Sequence, residues 1–286
     1  MHVDILEFVE VGSAPYRIIR MNPLREDRAS DRLVMLRSNR LEAAGFQHGF
    51  STAIGPADRV FDLAAPGASR LGTDPTACEA SLRRFSLAFG ENRHIATVTQ
   101  VHAANVIFAP TTPESEADAI IVDDIRTIAA VRTADCVPIL IGCPRTGLAA
   151  AVHAGWRGIV ADVLGATVDA LRSRGAAPGD LIAAIGPAIG LEAFEIGDEV
   201  VAAFEAARLA PFIRQGPGRS HADLFGAAVS RLLEAGMGHE RIDGEPLCTA
   251  SDERFFSHRR TSGRTGRHLS GISGIVGNHD PRDPVL

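Results

Sequence analysis

The sequence contains no lysine: all 29 of its basic residues are arginine. A Schiff base to substrate, a pyridoxal phosphate anchor and the lysine of a Walker phosphate loop are therefore excluded. Any phosphate must be met by arginine forks, backbone N–H groups or a metal ion. Net positive charge is lacking too. Against 35 acidic residues the arginines leave a formal charge of −6, with no basic tail to offset it, which argues against nonspecific nucleic-acid binding. No apolar run approaches the roughly 18–20 residues of a membrane-spanning helix. Residues 1–7 carry acids where a secretory signal needs basic residues and then an apolar stretch. The four cysteines, at 78, 136, 143 and 248, form no CxxC pair and no regular framework, so a reducing cytoplasmic compartment is expected.

What is present starts with 286 residues at 45% hydrophobic content, enough for one large core. No repeat, low-complexity run or linker divides the chain. The expected organisation is an N-terminal extension over residues 1–45, packed on the body, and a single domain over 46–286. Asp74-Pro75 reads as N-cap and first position of a helix that Gly90 ends. Residues 95–101, 105–109 and 119–122 are strand-like. Three apolar runs across 128–153 show little periodicity, the pattern of strands buried on both faces. Past Gly155 and Gly158, Val160, Val163, Leu164, Val168 and Leu171 recur at helical spacing until Gly175. Residues 181–185 form another strand, Gly197-Asp198 opens a helix, and Ser220 with Asp223 resembles a capping box ahead of Leu224. An Arg/Gly segment runs from His258 to His268. The mixture predicts an α/β fold.

The chemistry concentrates at Thr133-Ala134-Asp135-Cys136 and at His153, seventeen positions later, in Ala151-Val152-His153-Ala154-Gly155-Trp156-Arg157-Gly158. Both polar residues end apolar runs that lead into turns, where folds expose reactive groups. A thiolate and an imidazole together can bind zinc, or act as nucleophile and base. His102, closing the strand-like run 97–102, is the natural third ligand. Two imidazoles and one thiolate leave a fourth zinc position open, as in catalytic sites. A laccase-type three-copper cluster is not expected, since none of the ten histidines forms a His-X-His pair. Asp135 points away from Cys136 if the strand persists, and is a candidate outer partner. Candidate anion groups are Arg259, Arg260, Arg264 and Arg267 near His258, and the helix-opening turn at Arg157, beside Trp156, the only tryptophan. Cys78, Cys143 and Cys248 read as structural.

Beyond these positions, a set of segments resembles the signatures of the laccase-domain family. They are Gln100-Val101-His102, Thr133-Ala134-Asp135-Cys136-Val137-Pro138, Val152-His153-Ala154-Gly155-Trp156-Arg157-Gly158 and Ile185-Gly186-Pro187-Ala188-Ile189-Gly190. Phe194-Glu195-Ile196-Gly197, Cys248-Thr249, Phe255-Phe256-Ser257-His258-Arg259-Arg260 and Thr265-Gly266-Arg267 continue the order. The family was long regarded as polyphenol oxidases and is now understood as zinc-dependent purine nucleoside phosphorylases. The resemblance implies His102, Cys136 and His153 as Zn2+ ligands, and a layered sandwich of mixed β-sheets flanked by helices, related to deamidating bacterial toxins. It implies phosphorolysis of adenosine, inosine or 5′-methylthioadenosine, with purine nucleoside and phosphate as partners and adenosine deamination as a side activity. Cys136, His153 and Arg157 are then the catalytic candidates, with Arg259 and Arg267 binding substrate. The chain departs from the family's usual pattern at Ala53, Ser81-Leu82 and Ala188. Two other readings fit the residues: a metal-free Cys136–His153 hydrolase or amidase, and a non-catalytic zinc-binding interaction module.

Overall fold

The computed structural model describes residues 21–28, 33–55, 60–216 and 218–276. The first part of the chain forms strands β1 (Arg25–Arg28) and β2 (Val34–Arg37), helix α1 (Asn39–Ala43), β3 (His48–Ser51), α2 (Pro75–Leu87) and β4 (His94–Ala96). The middle supplies β5 (Val106–Phe108), β6 (Ala119–Val122), β7 (Thr127–Thr133), β8 (Val137–Gly142), β9 (Ala149–Ala154), α3 (Trp156–Val160) and α4 (Val163–Ser173). Then come β10 (Ile182–Ile185), β11 (Glu195–Ile196), α5 (Asp198–Ala206), β12 (Ile213–Arg214), β13 (Ser220–Ala222), α6 (Leu224–Glu234), β14 (Ile242–Gly244) and β15 (His268–Ser273).

Two six-stranded mixed sheets stack face to face. One has the order β1-β2-β3-β15-β7-β4, the other β14-β10-β8-β9-β6-β5, and a small sheet β11-β13-β12 stands apart. Side-chain alternation along each strand sorts the core into layers. On β7, Ala129 and Val131 point between the sheets with Phe50, Leu140 and Ile272, while Ile128 and Ala130 point outward to Phe85 and Phe89 of the α2 region. On β9, Ala149 and Ala151 face the inter-sheet layer, and Ala150 and Val152 face Val168 of α4 and Leu232 of α6. The result is a four-layer α/β sandwich with helices on both outer faces. β7, β8 and β9 are buried on both sides except at Arg132, as their continuous apolar runs predict.

Several local expectations give way. The strand expected over 95–101 ends at Ala96. There the Gln100 side chain takes over the pairing, its amide donating to the Arg132 carbonyl and accepting from the Arg132 N–H, both at 2.7 Å. The helix expected to run unbroken from Gly158 to Gly175 splits. Asp162 adopts a left-handed φ of 61° and caps α4 through the N–H of Gly165. α6 is capped by Asp223 alone, while Ser220 belongs to β13 and hydrogen-bonds Gln215. The Arg/Gly segment leads into β15, a central strand that the sequence pattern did not reveal. Residues 1–20 of the expected extension lie outside the described residues. Its described part supplies the edge strand β1 and its neighbour β2, and Asn22 pairs with Asp243 of β14.

Candidate metal centre

Three segments converge at one end of the sandwich. β9 carries His153 on the same face as Ala149 and Ala151, so its ring enters the inter-sheet layer and is 3% exposed. β7 runs out at Thr133, and the chain turns through Asp135, at φ 102°, to present Cys136 just before β8. His102 stands on a loop rather than a strand end, in a left-handed conformation with φ 59°. The ligand atoms of His102, Cys136 and His153 all lie within 4.8 Å of one another. Burial grades outward, from His153 buried through Cys136 half-buried to His102 exposed. The cluster therefore has a fixed floor and an open mouth.

Gly155 makes that convergence sterically possible. A Cβ there would sit 3.1 Å from Cys136 Sγ and 3.1 Å from His102 Cδ2. The glycine turn that ends β9 is thus also the gap through which the thiol and the imidazole edge approach one another. The two imidazoles meet edge to face, with ring centroids 4.8 Å apart.

Asp118, at the start of β6, organises the site, and nothing in the sequence reading singled it out. Its fully buried carboxylate accepts from His153 Nδ1 at 2.8 Å, from the His102 N–H at 3.0 Å and from the Ala103 N–H at 2.7 Å. One carboxylate therefore fixes the tautomer of one histidine and the backbone of the other. Nδ1 of His153 is the protonated nitrogen, and Nε2 is left to face the cluster. Burial opposes the charge on Asp118, but the hydrogen bonds from His153, Ala103 and His102 hold its carboxyl below the usual carboxylate range. The one sequence-level signal was an acid directly ahead of the wholly apolar β6.

Burial alone would raise the Cys136 thiol and lower the His153 imidazole. Their mutual charge and hydrogen bonds reverse both effects, with Cys136 brought down to about 6 and His153 raised to about 9 with the help of Asp118. Cys136 is thus readily available as a thiolate. The donors fit a metal ion. With bond lengths of about 2.0–2.3 Å, a tetrahedral zinc would set its donors about 3.3–3.6 Å apart, a small contraction of this cluster. Among the described residues this is the one group of His, Cys, Asp and Glu side chains placed to hold a metal.

The surrounding walls are stitched to the cluster by Asp135. Its carboxylate accepts from the Thr249 hydroxyl at 2.6 Å and the Arg259 N–H at 2.7 Å, and its carbonyl from the Ile189 N–H at 2.8 Å. It fastens the three motif segments around the site rather than touching Cys136 from behind. The Arg259 guanidinium donates to the carbonyls of Ala193 and Glu195, both at 3.1 Å, and lies over Phe194. Arg260 clamps carbonyls of residues 249–255. Arg157 is exposed and stacks on Trp156 at 4.2 Å, with no ion pair to a described carboxylate. Arg267 is half-buried, electrostatically coupled to Cys136 and Asp135, and hydrogen-bonds through its guanidinium only to the Gly266 carbonyl among the described residues. Ala188 pairs with Cys248, whose Sγ accepts from the Gly190 N–H at 3.2 Å.

This combination defines a class: four-layer mixed α/β proteins with a His–Cys–His donor cluster at one end of the stacked sheets. A family model described as multi-copper polyphenol oxidoreductase laccase matches residues 47–274, and the chain belongs to that family. Among similar proteins, purine nucleoside phosphorylase PA4543 of Pseudomonas aeruginosa is 43% identical over 204 residues, covering 69% of this chain and 80% of that one. Purine nucleoside phosphorylase YfiH of Escherichia coli is 39% identical over 208 residues, covering 70% and 82%. A purine nucleoside phosphorylase of Deinococcus radiodurans is 35% identical over 195 residues, covering 68% and 76%. The crystal structure of YlmD from Geobacillus stearothermophilus superposes with a TM-score of 0.76 at 30% identity, over 88% of this chain and 99% of that one. Neisseria meningitidis protein NMB0706 does so with 0.69 at 32%, over 81% and 95%. No helix among the described residues is long and apolar enough to cross a membrane.

Proposed function

We propose that this chain is a cytoplasmic, zinc-dependent purine nucleoside phosphorylase. It takes adenosine, inosine or 5′-methylthioadenosine with phosphate and yields the free base and the sugar 1-phosphate. The observation that carries this reading is the Asp118-oriented His102–Cys136–His153 donor set, in a chain similar to proteins named for that activity. In the reaction a phosphate oxygen bonds to C1′ as the bond from C1′ to the purine nitrogen breaks, and the purine takes up a proton. Zinc, when bound, supplies a Lewis acid at the one position its three protein ligands leave open. The chain's own residues do the rest. Asp118 holds the Nδ1 proton of His153, so that Nε2 would be the ligand atom, and Cys136 would bind as thiolate. Arg157, Arg259 and Arg267 are the cations assigned to the anionic co-substrate and the sugar, with Arg157 the least engaged by hydrogen bonds to described residues. Positioning a dianion beside C1′ is the main demand, because the ribosyl transition state is oxocarbenium-like. Deamination of adenosine, in which water adds at C6 and ammonia leaves, is the side activity.

The test joins metal analysis to a substrate screen. Protein purified without chelator should carry close to one zinc per chain and consume nucleoside only when phosphate is supplied, apart from a slower release of ammonia. Stoichiometric zinc without turnover of any purine nucleoside would sink the enzymatic reading and favour an interaction module. One observation favours a second reading: the Cys136–His153 pair has the polarity of a nucleophile and its base, which suits a metal-free hydrolase or amidase. That reading requires metal-free protein to be fully active.

A further inference from the structure

Two of the three donors ride on chain that crosses from one sheet to the other. β4 and β7 belong to the first sheet, β5 and β8 to the second, so His102 sits on the β4–β5 crossing and Cys136 on the β7–β8 crossing. The His102 crossing is tied to the second sheet at several points. Thr99 pairs with Glu116, its N–H donating to the Ser115 carbonyl at 3.0 Å and its carbonyl accepting from the Ala117 N–H at 3.2 Å. Asp118 takes the N–H groups of His102 and Ala103. Gly158 of α3 packs so close that a Cβ there would stand 3.3 Å from the Ala103 carbonyl. His102 itself is exposed, so packing does little to fix its ring, and the ring follows its backbone. Toward the first sheet, the Gln100 side chain reaches across to β7. Its amide donates to the Arg132 carbonyl and accepts from the Arg132 N–H, both at 2.7 Å.

Gln100 stands two residues before His102, and Arg132 four before Cys136. One amide therefore links the two donor-bearing crossings close to the donors themselves. A strand turns the N–H and C=O of a single residue to the same side, and a primary amide offers one donor and one acceptor in a matching plane. Paired bonds of this kind fix both the distance and the tilt of the crossing against the end of β7. We propose that Gln100 is a positioning residue, one that spaces His102 from Cys136 and so presets the donor cluster for its metal. Asp118 couples His102 to His153, and Gln100, through Arg132, couples His102 to Cys136. The more exposed imidazole is thereby tied to both of its fellow donors. This inference rests on the metal-centre reading and is independent of which reaction the centre serves.

The experiment combines zinc competition against a chromophoric chelator, absorption spectra of the cobalt-substituted protein and thermal melts of the metal-free protein. Gln100→Met keeps the length of the side chain and loses both hydrogen bonds. It should bind zinc about tenfold more weakly than the parent, as for other groups that orient metal ligands. Its cobalt form should show altered d–d and thiolate-to-cobalt bands, a change that loss of stability alone does not produce. Gln100→Glu keeps the acceptor for the Arg132 N–H but sets an oxygen against the Arg132 carbonyl. It should show the same two changes, and it serves in place of Gln100→Met if that variant does not fold. The control is Thr127→Val, which removes the hydroxyl contact to His94 Nε2 at 3.0 Å, at the far end of the same β4–β7 pair. It should lower the metal-free melting temperature and leave zinc affinity and the cobalt bands as in the parent. Zinc affinity within twofold of the parent and parental cobalt bands in the Gln100 variants would overturn the proposal, leaving Gln100 a strand fastener and the metal centre intact. An equal loss of zinc affinity in Thr127→Val would overturn it too, since any loosening of β4 from β7 would then suffice. A parent that takes up neither zinc nor cobalt would overturn both the proposal and the metal centre.

Discussion

Asp118→Asn isolates what the buried carboxylate contributes to metal binding. The substitution preserves size in a position with no solvent exposure, but an amide cannot serve three donors. His102 N–H and His153 Nδ1 share Oδ1 while the Ala103 N–H uses Oδ2, so the single amide oxygen keeps either the two histidine donors or the Ala103 N–H, and in both orientations the NH2 faces a donor. A neutral group also no longer raises the basicity of the His153 ring. Outer partners of metal-bound histidines are worth about 10–100-fold in affinity, or about 1.4–2.8 kcal/mol at 1.4 kcal/mol per tenfold. Competition against a chromophoric zinc chelator should show a loss in that range, with His102 and His153 still binding. Asp118→Ala should lose more and also melt lower, because each unsatisfied buried donor costs about 1–3 kcal/mol. Thermal melts of the metal-free variants separate that structural loss from the loss of affinity. If Asp118→Asn bound zinc within twofold of the parent, the carboxylate would be a loop fastener and not a tuner of the metal ligand.

Three further outcomes are expected. Cys136→Ala leaves two protein ligands, so zinc affinity should drop by orders of magnitude, and full zinc occupancy with full activity would show the ligand assignment to be wrong. Gly155→Ala inserts a Cβ 3.1 Å from both Cys136 Sγ and His102 Cδ2, and should weaken zinc by at least about tenfold; unchanged chelator competition would mean the gap is not needed. Acid should destabilise the fold through His48 and His268, both of which burial lowers from 6.5 to about 4. Between those values the unfolded chain binds protons that the folded chain does not, so stability is complete above pH 6.5 and is lost as pH falls toward 4. The limit is about 3 kcal/mol per ring. Urea midpoints at pH 7.5 and 5.5 test the slope, and a His268→Gln variant with an undiminished slope would remove that ring from the account.

The core of the fold was legible because burial leaves a direct trace in composition. Strands β7 to β9 have apolar positions on both faces, and that pattern has few other readings. The same runs placed Cys136 and His153 at their ends, and the motif resemblance agreed on His102. What stayed hidden was held by side chains that stand in for backbone. Gln100 replaces a strand partner, so the run before His102 looked like a strand and is a loop. β15 sets Ser270 and Gly271, two residues that carry no strand signal, between Leu269 and Ile272, which face opposite sides, so no alternation shows. Yet its neighbours β3 and β7 flank it and all six residues are buried. Asp118 and Asp62 were invisible for another reason. An acid in a sequence does not reveal that it is buried, and only the fold brings together the three donors of Asp118 and the four of Asp62, which come from Ala64, Ser69, Thr73 and Arg267.

The choice between a metal centre and a nucleophile–base pair turns on His102. A thiolate and its base need two side chains, and Cys136 and His153 would satisfy that alone. His102 adds a third donor at a price in backbone conformation, since a left-handed φ in a residue other than glycine costs about 1 kcal/mol or more and persists only where the surroundings impose it. The imposing group is Asp118, which grips the His102 backbone with one hand and the His153 ring with the other. A hydrolase gains nothing from holding a second imidazole edge-on to the first beside the thiol. A tetrahedral ion gains its third ligand. The same carboxylate also leaves Nε2 of His153 directed at the cluster, where a ligand is required and where a general base would equally serve. Geometry at His153 is therefore neutral between the two readings, and geometry at His102 favours the metal. Replacing His102 alone should then separate them: His102→Ala abolishes activity together with stoichiometric zinc in a metal centre, and spares it in a Cys136–His153 hydrolase.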